Sequence, residues 1–454
     1  FTLFGLGACL DDQSSLGNRE LSEITISAPH DTLTAYFGEE FVVSHLSVEQ
    51  SGEELPLAYE WSYGTLNTDE DGMASYPIKD SLHIVSHDPE LKYAFRELGT
   101  FGLRLRVDNG ETIRYKYFVL QIDTEFSEGI TVLSRDGDGK GRISFMRTLT
   151  KEEINTGKVP VFRTDITELI NPGTKMEDVT DMVQVNNRLL VCSGDAGRIY
   201  NMDSRTFDIE GMTSFKELYP GCAFVKFAGV SANNNIYLVS RDRRGYVYDY
   251  VLDELMLTEY FKDLDVDAAV SVDRPVFVNY ETSVFYSPSL GGVTSSLNRY
   301  VDFNIWGICA VGSSVYVMAT YKVMPSYIYL SQTTFSLGNP TILQFYDSLV
   351  SLKVNRNSLF AGSKSYSCLY YTCEDGIYYW DLKKQLSTTP VISIPEGMEI
   401  TSLSMNTAGT LLYVGLYEKD ETEALKGHLY IYDVKTSVLV NQYHNIADKP
   451  IAIV

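Results

Sequence analysis

The chain has 454 residues, 44% of them hydrophobic and 21% charged, which excludes a disordered polymer and leaves ample material for a large core. Its 60 Asp and Glu against 37 Lys and Arg give a net charge of -23, a surface that repels phosphate backbones and anionic headgroups and so excludes nucleic-acid binding. Tyrosine, at 32 residues, exceeds phenylalanine at 21 and tryptophan at 3, a balance suited to half-exposed β-surfaces.

Residues 1–8, Phe1-Thr2-Leu3-Phe4-Gly5-Leu6-Gly7-Ala8, are apolar and small and run into Cys9. Lacking an initial Met and a basic region, they read as the remnant of a lipoprotein signal peptide. Leu6-Gly7-Ala8-Cys9 resembles a bacterial lipobox, which implies cleavage before Cys9 and acyl chains on it, with residues 9–21 as a flexible polar tether. The acidic pair Asp11-Asp12 resembles the surface-export signals of Bacteroidetes lipoproteins. No later stretch reaches the ~18 apolar residues that span a bilayer, so membrane attachment is expected through the lipid alone. The other cysteines, Cys192, Cys222, Cys309, Cys368 and Cys373, show neither CxxC pairs nor zinc spacing. They are expected to be buried free thiols, with Cys368 and Cys373 on opposite faces of one strand.

Residues 22–124 carry short alternating runs. Ile24-Thr25-Ile26, Glu40 to Val43 and Leu57 to Trp61 are predicted strands. In the run from Leu98 to Asp108, Phe101, Leu103, Leu105 and Val107 share one face while Arg104 and Arg106 share the other. Asn109-Gly110 is a hairpin turn into the strand ending at Ile122. Several short strands in ~100 residues predict an immunoglobulin-like sandwich with Trp61 as core anchor. The strand Tyr59-x-Trp61, the pair Tyr93-x-Phe95, the corner Gly99-Thr100-Phe101 and the alternating strand ending at Asp108 resemble the PKD-like domain. That resemblance implies a spacer or protein-contact module. His83 and His87 stand four apart, but on a strand four residues span ~13 Å and share no metal, so no metal site is expected.

From residue 126 to 454 one hairpin recurs seven times, centred on Val132, Leu190, Tyr237, Phe277, Tyr316, Tyr370 and Tyr413. Each copy is an apolar strand, a polar turn and a second strand, mostly restarted by Gly. The spacing of roughly 40 to 60 residues fits blades of four strands and predicts a seven-bladed β-propeller. The fold class is therefore all-β. Pro450 to Val454 is expected to supply the inner strand of the first blade, so that no sheet edge stays open.

Three early hairpins end their first strand alike, in Ser134-Arg135-Asp136, Ser193-Gly194-Asp195 and Ser240-Arg241-Asp242. The turns after second strands open on one face of a propeller, which makes Arg135, Asp136, Asp195, Arg241 and Asp242 candidate ligand contacts; turn chemistry is the plainer reading. Asp136 to Gly141 lacks the distal Glu of a calcium loop and the helix of a phosphate loop, and reads as a hairpin turn. Trp306, on an expected inner strand, and Trp380, on an expected third strand, are candidates to stack on a sugar or peptide, with core packing as the plainer reading. No nucleophile elbow, zinc-binding His pair or Cys–His pairing appears, so no catalytic residue and no cofactor is assigned.

The lipobox, tether, sandwich and propeller together resemble the PKD-like family lipoproteins of Bacteroidetes. The resemblance implies an outer-membrane, cell-surface lipoprotein beside a SusC/SusD-type importer, binding glycan or peptide without catalysis. The alternatives are a propeller hydrolase or lyase acting through convergent acids, and a purely structural docking subunit.

Overall fold

The computed structural model describes residues 21–43, 45–68, 74–75, 82–230, 235–256, 265–272, 274–288, 294–334, 336, 340–346, 353–383, 386–420 and 422–454. Cys9, the signal remnant and all but the last residue of the tether lie outside the described residues. The chain divides into two compact units, the boundary falling between Glu125 and Phe126.

In the first unit the sheet order is Thr32–Tyr36, Ile113–Asp123, Gly99–Asp108, Ala58–Thr65 and His83–Ser86, with the first pair parallel and the others antiparallel. Three smaller pairings accompany it, Ile24–Ser27 with Ser47–Gln50, Glu40–Val42 with Lys92–Ala94 and Asn67–Thr68 with Ala74–Ser75. The alternation in Gly99–Asp108 sends Leu103, Leu105 and Val107 into the core at 0% exposure, with Phe101 partly buried against them. Trp61 stacks on Phe118 at 6.2 Å and donates its Nε1 hydrogen to the Asp88 carbonyl at 3.1 Å, so a large apolar ring is buried without stranding its polar atom. The turn at Asn109-Gly110 forms because Gly110 takes φ +86° and the Asn109 side-chain oxygen accepts from the N–H groups of Glu111 and Thr112. His83 packs near Tyr63 while His87 Nδ1 bonds to the Tyr59 carbonyl, so the two rings serve separate neighbours.

The second unit is a ring of seven sheets among the described residues. With strands lettered A to D from the axis outward, blade 2 is Val179–Val185, Arg188–Ser193, Arg198–Asp203 and Ile209–Ser214. Blade 3 is Phe224–Val230, Asn235–Ser240, Gly245–Asp249 and Glu254–Met256; blade 4 is Ala268–Ser271, Pro275–Asn279, Val284–Pro288 and Thr294–Leu297. Blade 5 is Phe303–Val311, Ser314–Tyr321, Ile328–Thr334 and Thr341–Tyr346. Blade 6 has Phe360–Ser363, Cys368–Cys373 and Gly376–Trp380; blade 7 has Met398–Met405, Leu411–Glu418, Gly427–Asp433 and Leu439–Ala447. The seven predicted hairpins are the B–C hairpins of the blades.

Blade 1 joins the two ends of this unit. Its A strand is Lys449–Ile453, antiparallel to the B strand Gly129–Arg135, which pairs in turn with Gly141–Arg147. Thr131 and Val454 exchange both backbone hydrogen bonds, at 2.9 and 3.0 Å. The C-terminal closure read from the sequence is therefore present. Each A strand abuts the next around the circle, and those of blades 2 and 7 both abut Lys449–Ile453, so the ring is shut. In blades 1 and 6 isolated bridges lie where a D strand would run, Gly141 with Met176 and Phe145 with Arg163 in the first, Ile377 with Ile392 and Trp380 with Leu386 in the second.

Apolar seams hold neighbouring blades together. The five described cysteines are buried free thiols, as expected. Cys368 joins the cluster between blades 6 and 7, and Cys373 the one between blades 5 and 6, the opposite-face placement that their odd spacing predicts. Burial pushes the Cys368 thiol up to about 11 and those of Cys309 and Cys373 up to about 12, so they stay protonated and unreactive at neutral pH.

Candidate functional site

Antiparallel order places every B–C turn and every D–A connection at one face of the ring, and the Ser-x-Asp triplets lie on it. Their serines face inward and are buried, Ser134 and Ser193 at 0% exposure and Ser240 at 2%. The reason is a repeated irregularity. Besides a second bulge at Ala228 in blade 3, the A strands of blades 1, 2, 3, 5 and 7 each carry one extra residue against the partner near the same end: Ile451, Thr180, Val225, Trp306 and Thr401. In blades 1 to 3 the triplet's serine stands beside that bulge. There Ser240 Oγ accepts from the Ala223 N–H at 2.8 Å and donates at 3.0 Å to the Ala223 carbonyl, which also accepts from the Arg241 N–H at 2.8 Å. Ser193 Oγ accepts from Arg198 N–H, and Ser134 Oγ donates to the Arg142 carbonyl. The serines are thus turn and bulge chemistry.

The charged members divide. Arg135 reaches Asp178 at 3.3 Å, Asp178 accepts from the Asp195 N–H at 2.6 Å, and the Asp195 carboxylate accepts from Arg241 at 2.8 Å. The structure therefore brings Arg135, Asp195 and Arg241 into one arc across blades 1 to 3, together with Asp178, which the sequence reading missed. Glycine at 194 leaves room for the arc: a Cβ would lie 2.4 Å from Asp178 Oδ2 and 3.0 Å from Arg241, so those side-chain ends would have to shift. Asp136 instead closes its own turn, accepting from Asp138 and Lys140 N–H at 2.9 and 2.8 Å. Asp242 accepts from the Tyr246 hydroxyl at 2.9 Å and from Arg244 N–H. Arg243, next along, meets Asp267 at 2.9 Å, Glu281 at 3.3 Å and Asp265 at 3.5 Å. It does so from the left-handed region, φ 62°, a conformation that costs a non-glycine residue about 1–2 kcal/mol.

The two tryptophans are not alike. Trp306 occupies the bulge of the blade 5 inner strand, half-buried, with Nε1 donating to Thr320 Oγ1 at 2.9 Å. Trp380 has 0% exposure and meets Tyr316 edge-on at 5.6 Å. Its ring belongs to the core and offers no surface to a ligand, a correction to its candidacy: the third strand of blade 6 is covered on both sides.

Deeper in the ring, Asp181 on the blade 2 inner strand accepts from the Phe227 N–H at 2.9 Å. Burial raises its carboxyl above the ordinary range, opposed by the Lys226 ammonium and by the N–H groups of Phe227 and Met182.

Three clefts open on the same face. One of about 170 Å3 at blade 1 is lined by Lys140, Arg142, Lys175, Glu168 and Asp448 among others, with Arg142 and Asp448 paired at 2.9 Å. A second, of about 390 Å3, lies between blades 6 and 7, and a third at blade 3 is lined by Tyr219, Asp242 and Arg244. Among the described residues no cluster of three or more His, Cys, Asp or Glu is arranged to hold a metal ion.

No protein-family model matches the chain, and no curated protein matches it. Solved structures do. A quinonprotein alcohol dehydrogenase-like protein from Bacteroides thetaiotaomicron is similar at 13% identity and TM-score 0.52, over 96% of this chain and 99% of that one. The WD40 repeats of RRP9 align at 13% identity and TM-score 0.44, over 67% of this chain and 94% of that one. At such identity the first likeness is one of fold, and it agrees with the β-propeller.

Proposed function

We propose that this chain is a non-enzymatic surface lipoprotein that captures glycan or peptide on its ring and works beside a SusC/SusD-type importer of the outer membrane. In this reading acyl chains on Cys9 anchor it, residues 9–21 tether it, and residues 22–124 form an immunoglobulin-like, PKD-like sandwich that acts as a spacer. The observation that carries the binding role is the shared face: three clefts are all lined by B–C turns and D–A connections, where loops can vary without disturbing the strands. Binding is favoured over turnover by the occupation of reactive groups, since the triplet serines serve backbone, the thiols are protonated by burial, and the acids of the arc are paired with arginine.

A native pull-down from membranes through this protein tests the reading. Importer components and bound ligand are expected in the eluate; their complete absence overturns it. A Cys9→Ala precursor is expected to leave the membrane fraction, and its retention there removes the anchor.

A further inference from the structure

The cleft between blades 6 and 7 has a chemistry unlike that of its neighbours. At about 390 Å3 it falls within the ~300–1,000 Å3 of sites that enclose small ligands, whereas the blade 1 cleft is about 170 Å3. No Lys, Arg or His lines it. One wall is the turn before the inner strand of blade 6, pre-shaped by its own side chains. Asn355 Oδ1 accepts from Asn357 N–H at 2.8 Å, and Ser358 Oγ accepts from Asn355 N–H at 3.0 Å. Beside it, Thr372 Oγ1 accepts from Leu359 N–H at 2.9 Å. These bonds consume oxygen lone pairs and fix the side chains. Among the described hydrogen bonds they leave the Asn355 amide NH2 and the Ser358 and Thr372 hydroxyl hydrogens as donors, with the exposed Asn357 amide beside them.

The acceptors are as specific. Lys449 Nζ holds both oxygens of Glu399 at 3.0 and 3.1 Å, which neutralises that carboxylate. Glu374 is exposed on the B–C turn of blade 6 and remains a charged acceptor. An anionic ligand meets this carboxylate, while the ammonium groups beside the lining, Lys449 and Lys353, are already paired with Glu399 and Asp375, so it is repelled. An ammonium ligand satisfies Glu374 but, being donor-only, leaves the amides and hydroxyls without acceptors. A hydroxyl both donates and accepts. The opposite wall supplies half-buried Ile394, Met398 and Ile400, an apolar strip against which a ring's C–H face can pack, Met adapting to its contour.

We infer that this cleft is a binding site for an uncharged, hydroxyl-rich ring ligand, a sugar unit of a neutral glycan. The inference rests on reading the B–C face as a binding surface and narrows its ligand from glycan or peptide to neutral glycan.

Isothermal titration of the whole chain with uncharged malto-, cello-, xylo- and manno-oligosaccharides, with oligogalacturonate and with oligolysine tests it. Binding to at least one neutral series is expected, with none to the two charged probes. Asn357→Ala and Glu374→Ala, both exposed, are each expected to weaken it about tenfold with an unchanged melting temperature. Asn357→Trp, which fills the cleft, is expected to abolish it. Neutral-glycan binding that survives Asn357→Trp overturns the site while leaving the binding face intact. Binding only to oligogalacturonate or oligolysine, or to none of these probes, overturns the ligand class. The importer pull-down reads the broader role separately.

Discussion

Between blades 2 and 3 the ring is held by one apolar cluster that includes Leu190, Ile199, Phe215, Phe224, Leu238 and Tyr246, each at most 2% exposed. Between blades 3 and 4 the described apolar cluster is Val239, Val266 and Phe277, with Tyr237, Ala269 and Tyr286 partly buried against it, and Arg243 joins the two blades to three carboxylates. The first seam draws on burial, which is indifferent to salt and worth ~25 cal/mol per Å2 of apolar surface removed from water. The second adds exposed charge to a smaller buried cluster, and each such pair contributes roughly 0–1 kcal/mol and is screened within ~10 Å at 0.1 M salt. An ionic seam is therefore a register device more than an adhesive one: its charges and its left-handed Arg243 fix which turn meets which strand.

Removing residues 450–454 is the harshest break of this comparison, because it opens the ring and relaxes both seams together. It strips buried Ala452 and Ile453 and their ladder from Gly129–Arg135, a loss on the order of 5 kcal/mol that calorimetry should register as a large fall in the ring's melting temperature. Next comes Phe224→Ala, expected to cost about 3–5 kcal/mol in urea unfolding, equally at low and high salt. Arg243→Ala should cost only about 1 kcal/mol in dilute buffer, and the cost should fade towards 1 M NaCl. A salt-independent cost there, or a salt-dependent one at Phe224, would reverse the assignment of the two seams.

The smallest effect concerns Asp181. A carboxyl whose native pKa lies above its ordinary 3.8 holds its proton more tightly folded than unfolded, so its contribution is complete below pH 3.8 and is lost as pH rises through the native value. Asp181→Asn keeps an acceptor for Phe227 N–H without the charge. It should stabilise the ring by under about 1 kcal/mol at pH 7, a gain that vanishes near pH 3.

The B–C hairpins were legible because both strands are apolar and the turn between them is polar, as in Leu411–Glu418 and Gly427–Asp433. The outer D strands were not. Leu439–Ala447 is exposed over its first four residues, Leu439, Val440, Asn441 and Gln442, so its outward face lacks the alternation that marks a half-buried strand. Of the candidate contacts, Arg135, Asp195 and Arg241 could be named from their repeat, but Asp178, which organises them, could not. It lies outside the triplets, on a connection whose approach to Gly194 is set by the packing of one blade on the next. Trp380 kept two readings, ligand contact and the plainer one of core packing, because a ring's chemistry suits both; the neighbouring blade decides for the core. The amides and hydroxyls around Asn355 carried no signal, since Asn, Ser and Thr in a turn are ordinary local chemistry until a facing wall makes them a cleft.

Closure through Lys449–Ile453 also orders events in time. Ser144 bonds to the Ile446 carbonyl across 302 positions of chain, and the strand that completes the first-made blade is made after all the other blades of the ring. Until then the strand Gly129–Arg135 has one edge without its partner, and pairings so distant in sequence form slowly. The nascent ring therefore stays unlatched until Lys449–Ile453 has been made and has paired with Gly129–Arg135.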